Sequence, residues 1–465
     1  MKTTISKASL ATAIFALSLA PAGAQKQTPP AGGPAKAFSV PAHETYTLPN
    51  GMKITLVPYG NIPKVTVDVA IDAGGIDEGR DHIGVSGLTA RLLNEGTATL
   101  SATQLAGKAA GMGGSIDISS SDDQTIAQID VLSEFGPGAV RLIADVLEHP
   151  RMPESELARL KNDTLRQIAV DASRPQVIAE VRFRKILYGD HPYSIVEPSE
   201  ADVKRLTLQD AKDFVAANIT AARSHLYVAG KFDAAAVKKA IAESFGVWPG
   251  GGKPRGQNPP SPHPSRVLDV TDRPGAPQST LMVGLPVPPP NSPGDIRLRV
   301  TNNLLGGSFN SRITANIREQ KGYTYSPFSQ ISTRYHDAYW AERADVTTKF
   351  TGASLKEILA EIKRLSSEPP TAQELKGIQN YMAGLFVIVN SNRGALISQL
   401  QNVDFQGLGE DYLSTYVAKV NAVTPEDVEK TTAEYLKPGE LTIVVVGDKS
   451  KIADELAAYA SDKPL

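Results

Sequence analysis

The chain has 465 residues, 41% of them hydrophobic, and a formal net charge of −2, which is enough material for about two to four domains with proper cores. No basic surplus points to nucleic acid, and no long like-charge run marks a solvated tail. Cysteine is absent, which excludes a disulfide framework and a lipid-attachment thiol.

The first residues read as a secretory signal. Lys2 and Lys7 flank an apolar run over 8–19, and Ala22, Gly23 and Ala24 precede Gln25, so cleavage is expected near Ala24. The run is too short to hold a bilayer as a stable anchor, and no transmembrane anchor is expected after its removal. Export without cysteine suits a bacterial periplasm; a retained short anchor is the competing reading. Residues 25–39, rich in Pro, Gly and Ala, read as a flexible lead-in.

Order is expected from Tyr46. Residues 46–48 and 53–58 flank Asn50 and Gly51, the signal of a hairpin, and 65–73 (VTVDVAIDA) alternate as a strand. The stretch 84–97, GVSGLTARLLNEGT, follows. Its apolar Val85, Leu88, Leu92 and Leu93 fall on one helical stripe, with Ser86 as the expected N-cap and Gly96 as the stop. A helix at 102–112, strands at 115–119 and 124–131 around an Asp122-Asp123 turn, and helices at 138–147, 155–170, 176–188 and 207–218 come next. A strand at 225–228 and a helix at 233–245 complete this half.

Residues 249–265, PGGGKPRGQNPPSPHPS, read as an interdomain linker, with an active-site lid as the alternative. Beyond it the order recurs. A strand at 279–285 precedes a helix at 295–305, a break at Gly306 and Gly307, a helix at 312–320 and strands at 323–332 and 339–346. Helices at 356–365, 372–389, 394–401, 413–420 and 425–435 follow, then a strand at 441–446 and a helix at 451–459. Both halves close on helix, strand, Gly, helix, an internal duplication of element order. The expected fold is α+β: two similar halves, 40–248 and 266–465, each a mixed sheet with packed helices.

On the 84–97 helix, Gly87, Ala90 and Arg91 sit at i, i+3 and i+4 and cluster on one side. An H-x-x-E-H peptidase carries a zinc-binding His, a general-base Glu and a second zinc-binding His at those places. The frame around them resembles the zinc helix of the pitrilysin/insulinase family, the inverzincins. In that family a Glu from a later helix is the third ligand; the similar segment here is 159–168, RLKNDTLRQI, with Gln167 at the expected place. Glycine offers no side chain, alanine no proton acceptor, arginine a permanent charge that repels a dication, and glutamine a poor zinc donor. The competing reading is an ordinary core helix with no ancestral site.

In the second half, 305–326 reads LGGSFNSRITANIREQKGYTYS. It looks like the family's second-half motif, in which an Arg and a Tyr seven residues apart reach back to substrate; Arg318 and Tyr325 have that spacing. Gly322 is expected to end the Arg318 helix and place Tyr325 on the following strand. A guanidinium fork suits peptide carbonyls, and a phenol can donate to an oxygen that becomes negative. Tyr323 is the rival for the phenol role, and Gly306, Gly307, Ser308, Phe309 and Asn310 are candidates for a loop near substrate. The structural alternative pairs Arg318 with Glu319 and leaves the tyrosines filling the sheet. The seven histidines form no H-x-x-x-H pair, and neither a G-x-S-x-G elbow nor a P-loop occurs.

The resemblance implies a clamshell of two halves that binds no metal or cofactor itself. It further implies a zinc-bearing paralogous subunit, forming a heterodimer in which this chain lends Arg318 and Tyr325 to peptide hydrolysis. A metal-free peptide-binding or scaffold protein of the same fold is the alternative.

Overall fold

The computed structural model describes residues 38–251, 260 and 266–460. The expected signal, nearly all of the lead-in and most of the linker lie outside the described residues. No helix among those described is long and apolar enough to cross a membrane.

Two sheets organise the chain. The first contains β1 (Glu44–Thr47), β2 (Lys53–Pro58), β3 (Lys64–Ile71), β4 (Ile116–Ser120), β5 (Thr125–Leu132) and β6 (Ser224–Gly230), in the order β1-β2-β6-β3-β5-β4. The second contains β7 (Val267–Asp272), β8 (Gln278–Val287), β9 (Phe328–Arg334), β10 (Asp337–Thr347) and β11 (Thr442–Gly447), in the order β7-β11-β8-β10-β9. With β1 set aside, the two orders superimpose strand for strand. In each sheet one pair is parallel, β2 with β6 and β7 with β11, and the other pairings are antiparallel. The duplication read from element order is thus a duplication of topology.

The helices at Ala372–Val389 and Pro425–Tyr435 have the bounds expected from periodicity. Strand β7 and the short helix Glu200–Arg205 were missed, although VLDVTD carries the alternating pattern of a strand. The helix of the degenerate motif runs Val85–Leu93, and Ser86 is not its N-cap. Gly84 holds that place, and the cap comes from a distant side chain. Glu78 accepts from the Gly84 and Ser86 N–H groups (2.7 and 2.8 Å) and from the Ser86 hydroxyl (2.6 Å). A carboxylate at that end satisfies orphan N–H groups and complements the helix dipole.

One face of each sheet packs on helices of its own half. On the first, Val65, Val67, Val69 and Ile71 face a core with Leu92, Leu93, Val140 and Ile143. On the second, Leu281, Val283 and Leu285 face Leu355, Ile358 and Ile362. The opposite faces are covered by exchange. The first half's helix Pro175–Tyr188 lays Ala179, Phe183 and Leu187 on Met282, Tyr339, Ala341, Val444 and Val446 of the second sheet. The second half's helix Arg393–Phe405 lays Leu396 and Ile397 on Val57, Ala70, Tyr227 and Ala229 of the first.

The polar contacts of the exchange repeat as well. Thr66 stands across from Asp130 and Thr280 across from Asp345, and in each pair the hydroxyl donates to the carboxylate. The second half's Arg393 donates to Asp130 (3.1 Å), and the first half's Gln176 donates to Asp345 (2.8 Å). Buried Asp68 accepts from Gln128 (2.9 Å) and from Gln401 of the exchanged helix (2.6 Å). The Asp122-Asp123 turn adds a clasp: Arg184 and Arg334, one from each half, both donate to Asp122 (2.9 and 3.0 Å).

Phe183 is fully buried between the halves. Phe183→Ala is expected to cost about 3–5 kcal/mol, read as a lowered urea midpoint; an unchanged midpoint would show that its helix is not seated on the second sheet. Burial raises the Asp68 carboxyl to about 7, against an ordinary value of 3.8, with the two Gln hydrogen bonds lowering it less. The native state therefore holds a proton that the unfolded chain has lost over that interval, so stability falls as pH rises from about 4 to 7. Asp68→Asn is expected to remove this part of the slope in urea midpoints measured across that range, leaving the rest unchanged.

Candidate functional site

The first-half positions are built on two packed helices. On Val85–Leu93, Gly87 is exposed and Ala90 is buried in the core. A side chain at Gly87 would meet nothing within 4 Å. Arg91 is half-buried, and among the described residues its guanidinium has no ion pair or hydrogen bond. Gln167, exposed on the helix Glu154–Asp171, donates its amide to Asp171 (2.8 Å). The four positions therefore present a hydrogen atom, a methyl group, a cation and an amide already turned to a neighbour. This donor set does not fit zinc. Among the described residues no group of three or more His, Cys, Asp or Glu is arranged to hold a metal. Beside Gly87 lies a cavity of about 250 Å³ bounded by Glu78, Asp122, Tyr193 and Glu197. Burial raises both the Glu78 and Glu197 carboxyls, opposed at Glu78 by the hydrogen bonds of its cap.

The second-half positions form a cluster. Arg318 lies in Thr314–Gln320, a stretch of π-helix, a widening often found at functional sites. Gly322, at φ +64°, turns the chain as expected. Tyr325, however, lies ahead of β9, which begins at Phe328; the nearest pairing is an isolated bridge between Thr324 and Val346. Free of the sheet, Tyr325 is 80% exposed. The Arg318 guanidinium carbon sits 4.8 Å from the Tyr325 ring centroid and 4.4 Å from that of Phe309, and its Nε pairs with Glu319 (3.1 Å). The Glu319 pairing of the structural alternative is present, and Arg318 in addition stacks between two exposed rings. Tyr323 goes the other way, stacked on Phe350 at 4.4 Å and packed against the core. Of the two tyrosines, Tyr325 is the exposed one.

The glycine pair is placed differently from the expectation of a substrate loop. Gly306 is buried, and a Cβ there would collide with Glu342 and Ser329; one at Gly307 would collide with Asn302. Close packing explains these glycines, and the exposed part of the loop is Phe309 and Asn310. Under Gly306, Glu342 is fully buried with neither carboxylate oxygen hydrogen-bonded to a side chain, and burial raises its carboxyl well above the ordinary range. The sequence makes Phe309 a candidate for a loop near substrate; its stacking on Arg318 depends on a turn that no local pattern announces. His82 is exposed and pairs with Asp210 (3.4 Å).

Comparison with known proteins gives two family-model matches. Residues 56–196 match "Insulinase (Peptidase family M16)", and residues 205–382 match "Peptidase M16 inactive domain". The chain is 26% identical over 395 residues to the "Uncharacterized zinc protease YmxG" of Bacillus subtilis, covering 82% of this chain and 93% of that protein. It is 20% identical over 401 residues to the "Non-peptidase homolog YmxG" of Helicobacter pylori, covering 84% and 90%. Among solved structures, a peptidase M16 inactive domain from Pseudomonas fluorescens matches with a TM-score of 0.81 at 23% identity, covering 87% of this chain and 98% of that one. That last likeness is one of fold.

Equilibrated with zinc and then desalted, the chain is expected to keep only substoichiometric metal. Gly87→His, Arg91→His and Gln167→Glu together restore two imidazoles and a carboxylate and are expected to take up about one zinc per chain. Metal analysis of both proteins checks this; stoichiometric zinc on the unaltered chain would overturn the reading of the four positions.

Proposed function

This chain belongs to the insulinase family of peptidases, peptidase family M16, and we propose that it is the metal-free subunit of a heterodimeric zinc peptidase. In this reading a paralogue with an intact H-x-x-E-H motif holds the zinc and the general base, and this chain supplies substrate-gripping and oxyanion-stabilising donors. The observation that carries the reading is the asymmetry between the halves. Chemistry is gone from all four first-half positions, while Arg318 and Tyr325 remain together, exposed and held in a stack.

The roles follow from the side chains. Glu319 occupies Arg318 Nε, and the Phe309 and Tyr325 rings orient its plane. The outer guanidinium nitrogens can then donate to peptide carbonyls. The Tyr325 hydroxyl donates to the carbonyl oxygen that gains negative charge as a peptide bond is attacked. Neither role uses a metal on this chain. The N-terminal residues support placing the complex in a bacterial periplasm.

A second reading, a metal-free protein that holds peptides without hydrolysis, draws support from the non-peptidase name of the Helicobacter pylori relative. Peptide hydrolysis by the chain alone and mixed with zinc-motif paralogues of its source separates the two. Activity only in a mixture, with Arg318→Ala and Tyr325→Phe each lowering turnover roughly 100-fold (about 3 kcal/mol), supports the split site. Unchanged turnover in both variants would refute the mechanism, and inactivity of every mixture would favour the second reading.

A further inference from the structure

Two cavities adjoin the segment that bears Phe309, Arg318 and Tyr325. The first is a recess of about 260 Å³ between Phe309 and Gly377 of the helix Ala372–Val389. The one charged group in its lining, Glu374, is already paired with Arg312 (2.7 and 3.0 Å). The second, of about 200 Å³, opens between the helix Pro175–Tyr188 and strands β8 and β10. Its lining includes Ser326, the residue after Tyr325, and half-exposed Phe328. Gln176, Thr280, Arg343 and Asp345 give it a polar end. Arg343 is paired with Glu180 (3.0 Å), so those two charges cancel. Partly exposed Asp345 accepts from Thr280 and Gln176, both neutral, and among the described residues no cation is paired with it. The cavity therefore carries one unmatched negative charge.

The duplicated half shows what such a carboxylate holds when its charge is matched. Asp130 stands across from Thr66 as Asp345 stands across from Thr280, and each accepts from its threonine's hydroxyl. Asp130 also takes two cations, Lys64 and Arg393, the guanidinium at 3.1 Å. Lys64 lies two residues before Thr66, and the residue two before Thr280 is Gln278. Arg393 opens the helix laid on the first sheet, and Gln176 holds the matching place at the start of the helix laid on the second. Glutamine thus stands in the second half at both places where the first half has a cation. A carboxylate has about four lone-pair positions on its two oxygens, so two neutral donors leave room at Asp345 for a charged one.

We propose that this second cavity is a subsite for the side chain of a lysine or arginine in a bound peptide. The head group takes the place at Asp345 that Lys64 and Arg393 take at Asp130, as a charge-assisted hydrogen bond. The aliphatic stem runs along Phe328, as the stems of long basic side chains do on apolar surface. Ser326 joins the cavity to Tyr325, so the basic residue lies close to the peptide unit gripped by Arg318 and Tyr325. The proposal rests on the assignment of those two residues as peptide-contacting groups.

The test uses the full chain alone and twelve-residue peptides of Gly, Ser and Ala, acetylated at the N-terminus and labelled with fluorescein at a C-terminal cysteine. Each carries one central Lys, Arg, Gln or Glu, and binding is read by fluorescence anisotropy at low salt. Lys and Arg are expected to bind about fivefold more tightly than Gln, as for a partly exposed charge pair, and Glu no more tightly than Gln. Asp345→Asn removes the charge and keeps the shape, and should bring Lys and Arg to the Gln level. Gln176→Lys keeps Asp345 and places, at an exposed position, the cation that Arg393 supplies in the first half. It should have the same effect. Equal binding of Lys and Gln peptides to the unaltered chain, no binding of any peptide, or a Lys preference that survives Gln176→Lys would overturn the proposal. So would an unacetylated Gln peptide that binds as tightly as the Lys peptide, since the α-ammonium and not a side chain would then fill the cavity. Hydrolysis in the paralogue mixture distinguishes the two readings. A Lys preference with every mixture inactive would fell the split-site peptidase and keep the subsite. Arg318-dependent hydrolysis indifferent to Lys would do the reverse.

Discussion

Each of the two sheets carries apolar residues on both faces, and on one face of each they are covered by a helix of the other half. The helices exchanged in this way are Pro175–Tyr188 and Arg393–Phe405. Water-exposed Tyr339, Ala341, Val444 and Val446 on one side, or Val57, Ala70 and Ala229 on the other, would form an apolar patch of the kind that folded monomers avoid. The exchange also makes the two halves depend on one another for stability. The turn at Asp122 and Asp123 lies at the same seam, where it binds an arginine from each half.

Packing within the first half holds the Val85–Leu93 helix without help from the four altered positions' polar chemistry. The Val85–Leu93 helix owes its place to Leu88, Leu92 and Leu93 in the core and to Glu78 at its N-terminus. Gly87 and Gln167 are exposed and Arg91 is half-buried, so none of the three is needed for packing. Ala90 joined the core. A change of ligand side chains on such a helix removes metal affinity and leaves the scaffold standing, and the frame around the lost motif has accordingly stayed readable.

The halves have diverged in opposite directions on one scaffold. Around the Glu154–Asp171 helix the first half is knit by Arg159, Arg166 and Arg174 with their acidic neighbours. The matching helix of the second half carries exposed Tyr381, Leu385 and Ile388, and Tyr381 lines the same cavity as Phe309. An apolar, aromatic surface with one oriented guanidinium suits an extended peptide, which offers carbonyls and side chains together. A charged, self-paired surface offers less to such a ligand, because its donors and acceptors are already committed.

Much of this protein was determined by local sequence alone, because local rules have local causes. Hydrophobic period placed the helices and most strands, the Asn50-Gly51 pair placed the first hairpin, and repeated element order revealed the duplication. That Gly87, Ala90, Arg91 and Gln167 offer poor or no zinc donors was also legible, since it depends only on their own side chains. Tertiary structure decided the rest. It chose Glu78 over Ser86 as the helix cap, buried Gly306 against Glu342, sent Tyr323 into the core and left Tyr325 in solvent. It brought Phe309 onto Arg318, opened the recess at Gly377, and exchanged two helices between the halves. The exchanged helices, Gly306 against Glu342 and the recess at Gly377 join residues far apart in the chain, while the nearer contacts of Glu78 and Phe309 depend on how the backbone turns between the partners; a pattern of neighbours along the sequence carries no record of either.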